Sequence, residues 1–193
     1  IRHGYYETKD RDSKAGNPLL PLGREQASLT GDRLAGFPIK FSSITTSEFT
    51  RARETGDIIA AKLGLSCRRD GTLNECTPVG TGVAPTSANA EAEAQLARAW
   101  QHYATPASGT PSHDLLVCHG NVIRWFICRA LGADTKQWRQ MDIANCSITI
   151  IEVKPDGTTR LLLFNDAAHV PVEKQTWAGK GPAWPLPSQP KAK

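Results

Sequence analysis

Residues 114–131 constrain this chain more tightly than any other stretch. DLLVC is a short apolar run of the kind that forms a buried strand. His119-Gly120-Asn121 follow as a turn, and VIRWFICRAL over residues 122–131 reads as a strongly apolar helix that Gly132 ends. A strand running through a brief turn into a helix belongs to an α/β domain with a largely parallel sheet. It also sets His119 at the carboxyl end of its strand, where clefts in such sheets form. The amides opening the following helix favour an anion at the same spot. A lone histidine is more often a satisfied structural group, but the strand-end position and the Gly-Asn after it reverse that preference.

The same unit recurs upstream. Residues 41–46 (FSSITT) are rich in β-branched side chains and read as a strand. In residues 49–63, Phe49, Ala52, Gly56, Ile59, Ala60 and Leu63 recur at three- and four-residue steps, which predicts a helix stopped by Gly64. Ser47 is the expected N-cap. Arg51 falls in the first turn, just past a strand's carboxyl end. It is either a surface arginine or a cleft group, and its position favours the cleft. The chain opens on Arg2-His3-Gly4. Guanidinium is a permanent planar donor to phosphate or carboxylate, glycine lets backbone approach a ligand, and neutral imidazole is a nucleophile. Ile1-Arg2-His3 reads as the end of a strand whose earlier part is missing. The full gene product is therefore expected to have room upstream, where any targeting segment or anchor would lie.

Residues 5–17 form a polar, heavily charged loop near this site, either a solvated connector or a substrate contact. Residues 18–21 are a turn and residues 22–34 a helix stopped by Gly36 and Pro38. Residues 65–69 are a short strand. Glu75 heads a loop over residues 76–87 rich in Gly, Pro and Thr, and is either exposed or within reach of the cleft. Residues 88–104 form an amphipathic helix, residues 135–141 a short helix, and residues 147–153 and 159–165 a β-hairpin about Pro155-Asp156-Gly157. The expected architecture is a three-layer α/β sandwich. A mostly parallel central sheet is flanked by helices, with an antiparallel hairpin at one end. Residues 1–177 make one domain and residues 178–193 a proline-rich tail that packs weakly.

The net charge is +4 and scattered, without a basic run or aromatic-basic interleaving, so no nucleic-acid partner is expected. Five cysteines with no C-x-x-C pair argue against a disulfide framework or zinc ribbon and for buried thiols in a reducing compartment. No apolar run reaches the roughly 18–20 residues of a membrane span.

Four groups of residues, taken in order and spacing, carry a family resemblance. They are Arg2-His3-Gly4; Leu22-Gly23-Arg24-Glu25-Gln26-Ala27; Ser47 with Thr50-Arg51-Ala52 and Thr55; and His119-Gly120-Asn121-Val122-Ile123-Arg124. Over residues 1 to about 169 the chain resembles the histidine phosphatase superfamily in its phosphoglycerate mutase-like branch. Within that branch PLGREQASLTGDRLA, TRARETGDIIA and CHGNVIRWFICRAL are most similar to the mitochondrial serine/threonine protein phosphatase type.

The resemblance implies a phosphomonoester hydrolase with His3 as the phosphorylated nucleophile and Glu75 as proton donor. It implies a phosphoryl pocket of Arg2, Arg51 and His119, with Gly4 and Asn121 beside them. Asp166 and His169 match a terminal family pattern and are expected as near-site support. A protonated His119 would add a further donor and a charge. No cofactor or metal is expected, because the cationic side chains do the electrostatic work. The family's mutases carry extra basic residues and a long insertion before the second histidine. Here 43 residues separate Glu75 from His119, and residues 76–87 hold no Lys or Arg. Net hydrolysis in a rather open cleft is expected, on a phosphorylated protein or a small phosphoester, in the cytoplasm or mitochondrion. Dimerisation is common in the family. The rival reading keeps the pocket but makes it a non-catalytic phosphate-binding scaffold.

Overall fold

The structure is a computed structural model and describes residues 1–7 and 17–177, together with the backbone of residues 180–182. Parallel strands form its centre. Ser43–Thr46 (β1) pairs on one side with Cys67–Arg69 (β2) and on the other with Asp114–Val117 (β3). Beyond β3 the chain start continues the layer. Arg2 bridges Cys118 in parallel, and the His3 N–H donates to the Cys118 carbonyl at 3.0 Å. On its far side Arg2 N–H reaches the Ser147 carbonyl at 3.3 Å. Ile148–Val153 (β4) and Thr159–Asp166 (β5) then form the expected antiparallel hairpin.

Alternation along the strands builds the layers. Leu115 and Val117 point to one face, Leu116 and Cys118 to the other. The first face packs with Ile44 and Ile148 against Leu34 of Pro21–Ala35 (α1) and Ile59 and Ala60 of Thr50–Leu63 (α2). The second packs against Leu96 and Ala99 of Ser87–Tyr103 (α3) and Val122, Phe126 and Ile127 of Gly120–Ala130 (α4). Ile59 and Leu96 are fully buried, and truncating either to alanine costs about 2–5 kcal/mol.

Local signals set most element ends. Pro21 opens α1 one residue before the expected start, where its missing N–H is no loss. Gly64 closes α2 in the left-handed conformation at φ 66°. Thr86 and Asn89 form a reciprocal capping box at the start of α3. Helix α4 begins at Gly120 rather than residue 122, which makes His119 its N-cap. The short helix expected near residue 135 is a 3-10 segment, Thr135–Gln140.

The start of the expected tail behaves otherwise. Lys180–Pro182 (β7) pairs antiparallel with Thr176–Trp177 (β6). Residues 178, 179 and 183–193 of that tail lie outside the described residues, as do residues 8–16 of the polar loop. Among the described residues no helix is long and apolar enough to cross a membrane.

Candidate active site

The three strand ends bring the expected groups together. His3 follows the bridge to Cys118, Ser47 follows β1 with its N–H on the Val117 carbonyl at 3.0 Å, and His119 lies two residues past the end of β3. Arg51, in the first turn of α2, reaches across so that its Nε–H donates to His3 Nε2 at 3.2 Å. The His3 and His119 rings lie 5.1 Å apart between centroids. His3 is 2% exposed, His119 0%, Arg2 6% and Arg51 8%. A cluster of two guanidinium groups and two imidazoles this deeply buried is costly unless something of opposite charge completes it.

The His3 ring is held in one tautomer. Its Nδ1 lies 2.8 Å from the Gly4 carbonyl, which can only accept, so the proton sits on Nδ1 and Nε2 carries a lone pair. The backbone around it is gripped as well. Gly4 N–H donates to Thr55 Oγ1 at 2.9 Å, and Asn145 Nδ2 donates to the His3 carbonyl at 2.8 Å. Burial, helped by His119, Arg2 and Arg51, pushes the His3 pKa well below its ordinary value, against the hydrogen bond to Gly4. The ring is neutral near pH 7.

Glu75 follows the 3-10 turn Gly71–Leu73. Burial raises its pKa, opposed by Arg51, Arg2 and Arg124 and by the Asn121 backbone N–H. Its Oε1 is buried without a partner, and so are Arg2 Nε and His119 Nδ1. These three atoms belong to residues that also interact electrostatically. Arg2 is anchored through one terminal nitrogen to the Ile143 carbonyl. Two rings flank the cluster. Tyr6 stands edge-on to His3 at 5.0 Å, and the Arg51 guanidinium lies 4.7 Å from the Tyr6 centroid and 5.1 Å from that of Phe49.

Several expectations need correction. The Gly4 amide is spent on Thr55, and the reason for glycine there is close packing: its backbone abuts Gly23, whose own missing Cβ would collide with the Tyr5 carbonyl. Both ends of the Asn121 side-chain amide are engaged within the chain. Its Nδ2 donates to the Cys76 carbonyl at 2.8 Å and its Oδ1 accepts from Arg124 at 2.5 Å. Burial, then Arg51 and Arg2, push the His119 pKa well below the usual value, which disfavours the protonated ring expected from the sequence. Ser47 does not cap α2. Phe49 is the N-cap, and the Ser47 hydroxyl accepts from the Phe49 N–H at 3.1 Å while facing His119 Nε2 at 2.8 Å.

Tyr6 and Phe49 stand against the two histidines at the mouth of the expected cleft, Tyr6 on His3 and Phe49 on His119. His169 does not touch the cluster. Its Nε2 contacts Thr30 Oγ1 and the Cys146 carbonyl, and Cys146 N–H returns to the Arg2 and His3 carbonyls. Asp166 pairs loosely with Arg33 at 4.0 Å.

Sequence reasoning missed Tyr6, Phe49, Asn74, Asn145 and Arg124. Tyr6 lay within the loop expected near the site. Phe49 carried a helical-period signal that pointed only to packing. Arg124 stood in the motif that carries the family resemblance but was given no role there, and Asn74 and Asn145 gave no local signal that separates them from other polar residues.

The sequence model of the histidine phosphatase superfamily (branch 1) matches residues 1–114 and 83–167. The mitochondrial serine/threonine-protein phosphatase Pgam5 of Caenorhabditis elegans is 38% identical over 185 residues, 90% of this chain and 64% of its own length. Its Homo sapiens counterpart, named in the same way, is 36% identical over 186 residues, 91% of this chain and 64% of its own length. The chain thus spans somewhat less than two thirds of the length of these relatives. Among solved structures, phosphoglycerate mutase from Plasmodium falciparum superposes with a TM-score of 0.60 at 30% identity, covering 89% of this chain and 91% of that one. YhfR of Bacillus stearothermophilus shares the fold, with a TM-score of 0.69 at 21% identity over 88% of this chain and 98% of that one. With a family match over most of its length and the parallel-sheet architecture of these structures, the chain belongs to the histidine phosphatase superfamily, branch 1.

Proposed function

We propose that this chain hydrolyses phosphomonoesters through a phosphohistidine at His3 Nε2. One observation carries the reading. His3 Nδ1 is tied to the Gly4 carbonyl, which leaves a neutral ring with its Nε2 lone pair facing the Arg51 guanidinium at 3.2 Å. Around it lie buried polar atoms with no partner of their own. A tetrahedral anion bearing three oxygens answers that arrangement, since phosphoryl transfer is catalysed mostly by positioning and charge stabilisation.

In the proposed reaction His3 Nε2 attacks phosphorus in line with the ester oxygen. Arg2 and Arg51 hold the equatorial oxygens by charge-assisted hydrogen bonds, and His119 contacts a third. The ester P–O bond breaks as the N–P bond forms. Glu75, whose raised pKa favours the protonated carboxyl, gives its proton to the leaving oxygen. Water then attacks the phosphohistidine, returns a proton to Glu75 and displaces His3. Charge neutralisation comes from the two guanidinium groups, so turnover is expected to survive a metal chelator.

The substrate class follows the relatives, which are named serine/threonine-protein phosphatases, and the proposed substrate is a phosphorylated protein. Their names also carry a mitochondrial setting, which we extend to this chain as part of the same proposal. The test is turnover of an aryl phosphate with chelator present. Chelator-resistant turnover lost in His3→Ala supports the enzyme. Phosphate binding without turnover supports a scaffold, and loss of activity with chelator supports a metal hydrolase.

A further inference from the structure

Ser47 and Asn74 lie behind His119, and their hydrogen bonds decide where that ring carries its proton. The Glu48 backbone N–H can only donate, and it lies 2.9 Å from Asn74 Oδ1. Asn74 Nδ2 faces a Glu48 carboxylate oxygen at 3.3 Å, so the amide has one orientation. Oδ1 also accepts the Ser47 hydroxyl proton at 2.8 Å. With that proton committed, Ser47 Oγ can only accept from its other neighbours. They are the Phe49 N–H at 3.1 Å and His119 Nε2 at 2.8 Å. His119 Nε2 therefore bears a hydrogen, and the neutral ring presents a bare lone pair at Nδ1. That atom is buried and has no partner.

The charged and titratable groups facing this ring come from every element around it. Arg2 and His3 come from the chain start and Arg51 from α2; Glu75, from the loop after the 3-10 turn, and Arg124, from α4, act on Arg2 rather than on this ring. The Phe49 ring lies edge-on at 5.3 Å. A dianion entering this pocket has only lone pairs to offer. Against bare Nδ1 it would meet lone pair on lone pair in a buried, low-dielectric site.

We propose that the Glu48–Asn74–Ser47 chain fixes His119 as the Nε2–H tautomer, so the pocket takes up one proton at His119 Nδ1 whenever it binds a dianion. This rests on the reading of His119 as part of the anion pocket and adds a proton to its binding equilibrium. Dianion, neutral His119 and a proton from solvent combine to imidazolium and bound dianion, and the proton leaves with the anion. Ser47 and Asn74 are then positioning residues that act through His119. One proton per binding event makes dianion affinity fall about tenfold for each pH unit of rise while the empty ring is neutral and the occupied ring charged.

Sulfate is the probe, because it does not titrate near neutrality and any proton gained belongs to the protein. Calorimetric titration in two buffers of different ionisation enthalpy counts the protons. Nitrogen-15 NMR of labelled histidines locates them, with His119 assigned by its loss in His119→Gln. In the unliganded chain His119 is expected to be protonated at Nε2 alone, and sulfate adds the Nδ1 proton. Asn74→Ala frees the Ser47 hydroxyl to donate to Nε2, so a neutral Nδ1–H ring becomes available. Proton uptake at His119 should fall towards zero and the pH dependence of binding should flatten. Asn74→Asp keeps the acceptor and should restore uptake. His3 has its own signals and is not expected to follow Asn74. An Nδ1–H tautomer in the empty protein overturns the inference. So does sulfate that competes with aryl phosphate turnover yet leaves His119 Nδ1 bare, a result that spares the phosphatase reading. Sulfate that fails to bind, or binds without competing, overturns both.

Discussion

Two buried polar regions meet at the backbone of residues 3–5 and differ in one respect. Behind the backbone, Gln26, Asn145 and Thr176 form a network in which the side chains find partners. Gln26 Oε1 accepts from Tyr5 N–H, and its Nε2 donates to the Lys174 carbonyl and Thr176 Oγ1. Thr176 Oγ1 donates to Asn145 Oδ1, and Asn145 Nδ2 donates to the His3 carbonyl. In front of it, the buried cluster of Arg2, His3, Arg51 and His119, with half-buried Glu75 beside it, leaves Arg2 Nε, Glu75 Oε1 and His119 Nδ1 unpartnered. A satisfied network rigidifies, whereas an unsatisfied one costs free energy until a ligand completes it. The first region reads as scaffold and the second as a site.

The sharpest way to break this contrast is His3→Ala. Turnover should drop by on the order of 10³-fold or more, with no covalent phosphate trapped. Residual turnover near the wild-type rate in an aryl phosphate assay would move the nucleophile elsewhere. Glu75→Gln comes next. It should slow esters with poor leaving groups by about 10²–10⁴-fold and good ones far less. Equal slowing across a leaving-group series would remove Glu75 as proton donor. Arg51→Ala should weaken inhibition by inorganic phosphate or vanadate by about 10²-fold. Inhibition constants matching the wild type would return Arg51 to a packing role against Tyr6 and Phe49.

The scaffold should respond in another currency. Asn145→Ala strands buried partners at Thr176 and His3 and should destabilise the fold by about 1–3 kcal/mol in denaturant titration. Glu75→Gln, which puts an amide in place of a carboxyl whose raised pKa favours the protonated form, should cost less stability than Asn145→Ala. If the two variants lose the same stability, the distinction between the regions fails.

The smallest effect is on pH. His3 and His119 have lowered pKa values in the fold, so the unfolded chain binds more protons just below the ordinary histidine value of about 6.5. Stability should therefore fall as pH drops from about 7 to 5. Glu75, with its raised value, works in the opposite sense: it favours the fold at low pH and loses that contribution as pH rises through its folded pKa. Denaturant midpoints at the two pH values test this, and Glu75→Gln should steepen the acid loss.

Much of the scaffold and half of the site could be read along the chain, and the reason is locality. His119 and Arg51 each follow a short β-branched or apolar run and precede a helical period, so strand end and helix start lie within a few residues of the group they position. Register between distant segments leaves no such trace. The order β2-β1-β3, with the chain start beside β3, brings residues 2 and 118 together across the fold. Asn145 meets His3 from 142 positions away, and nothing in IANCS distinguishes it from a surface amide. The errors at Gly4, Ser47 and Asn121 share one cause. Residue type marked Gly4 and Asn121 as pocket groups and Ser47 as a helix cap, but their hydrogen bonds go to Thr55, to Cys76 and Arg124, and to Asn74, Phe49 and His119.

The most direct measurement is an acid-free rapid quench of the protein with radiolabelled aryl phosphate in the presence of chelator, followed by peptide mapping. A label that is acid-labile and base-stable, rides on the peptide containing His3 and vanishes in His3→Ala is the expected result. Sustained turnover with no covalent label in the burst phase, or a label on any other residue, would contradict a phosphohistidine at His3.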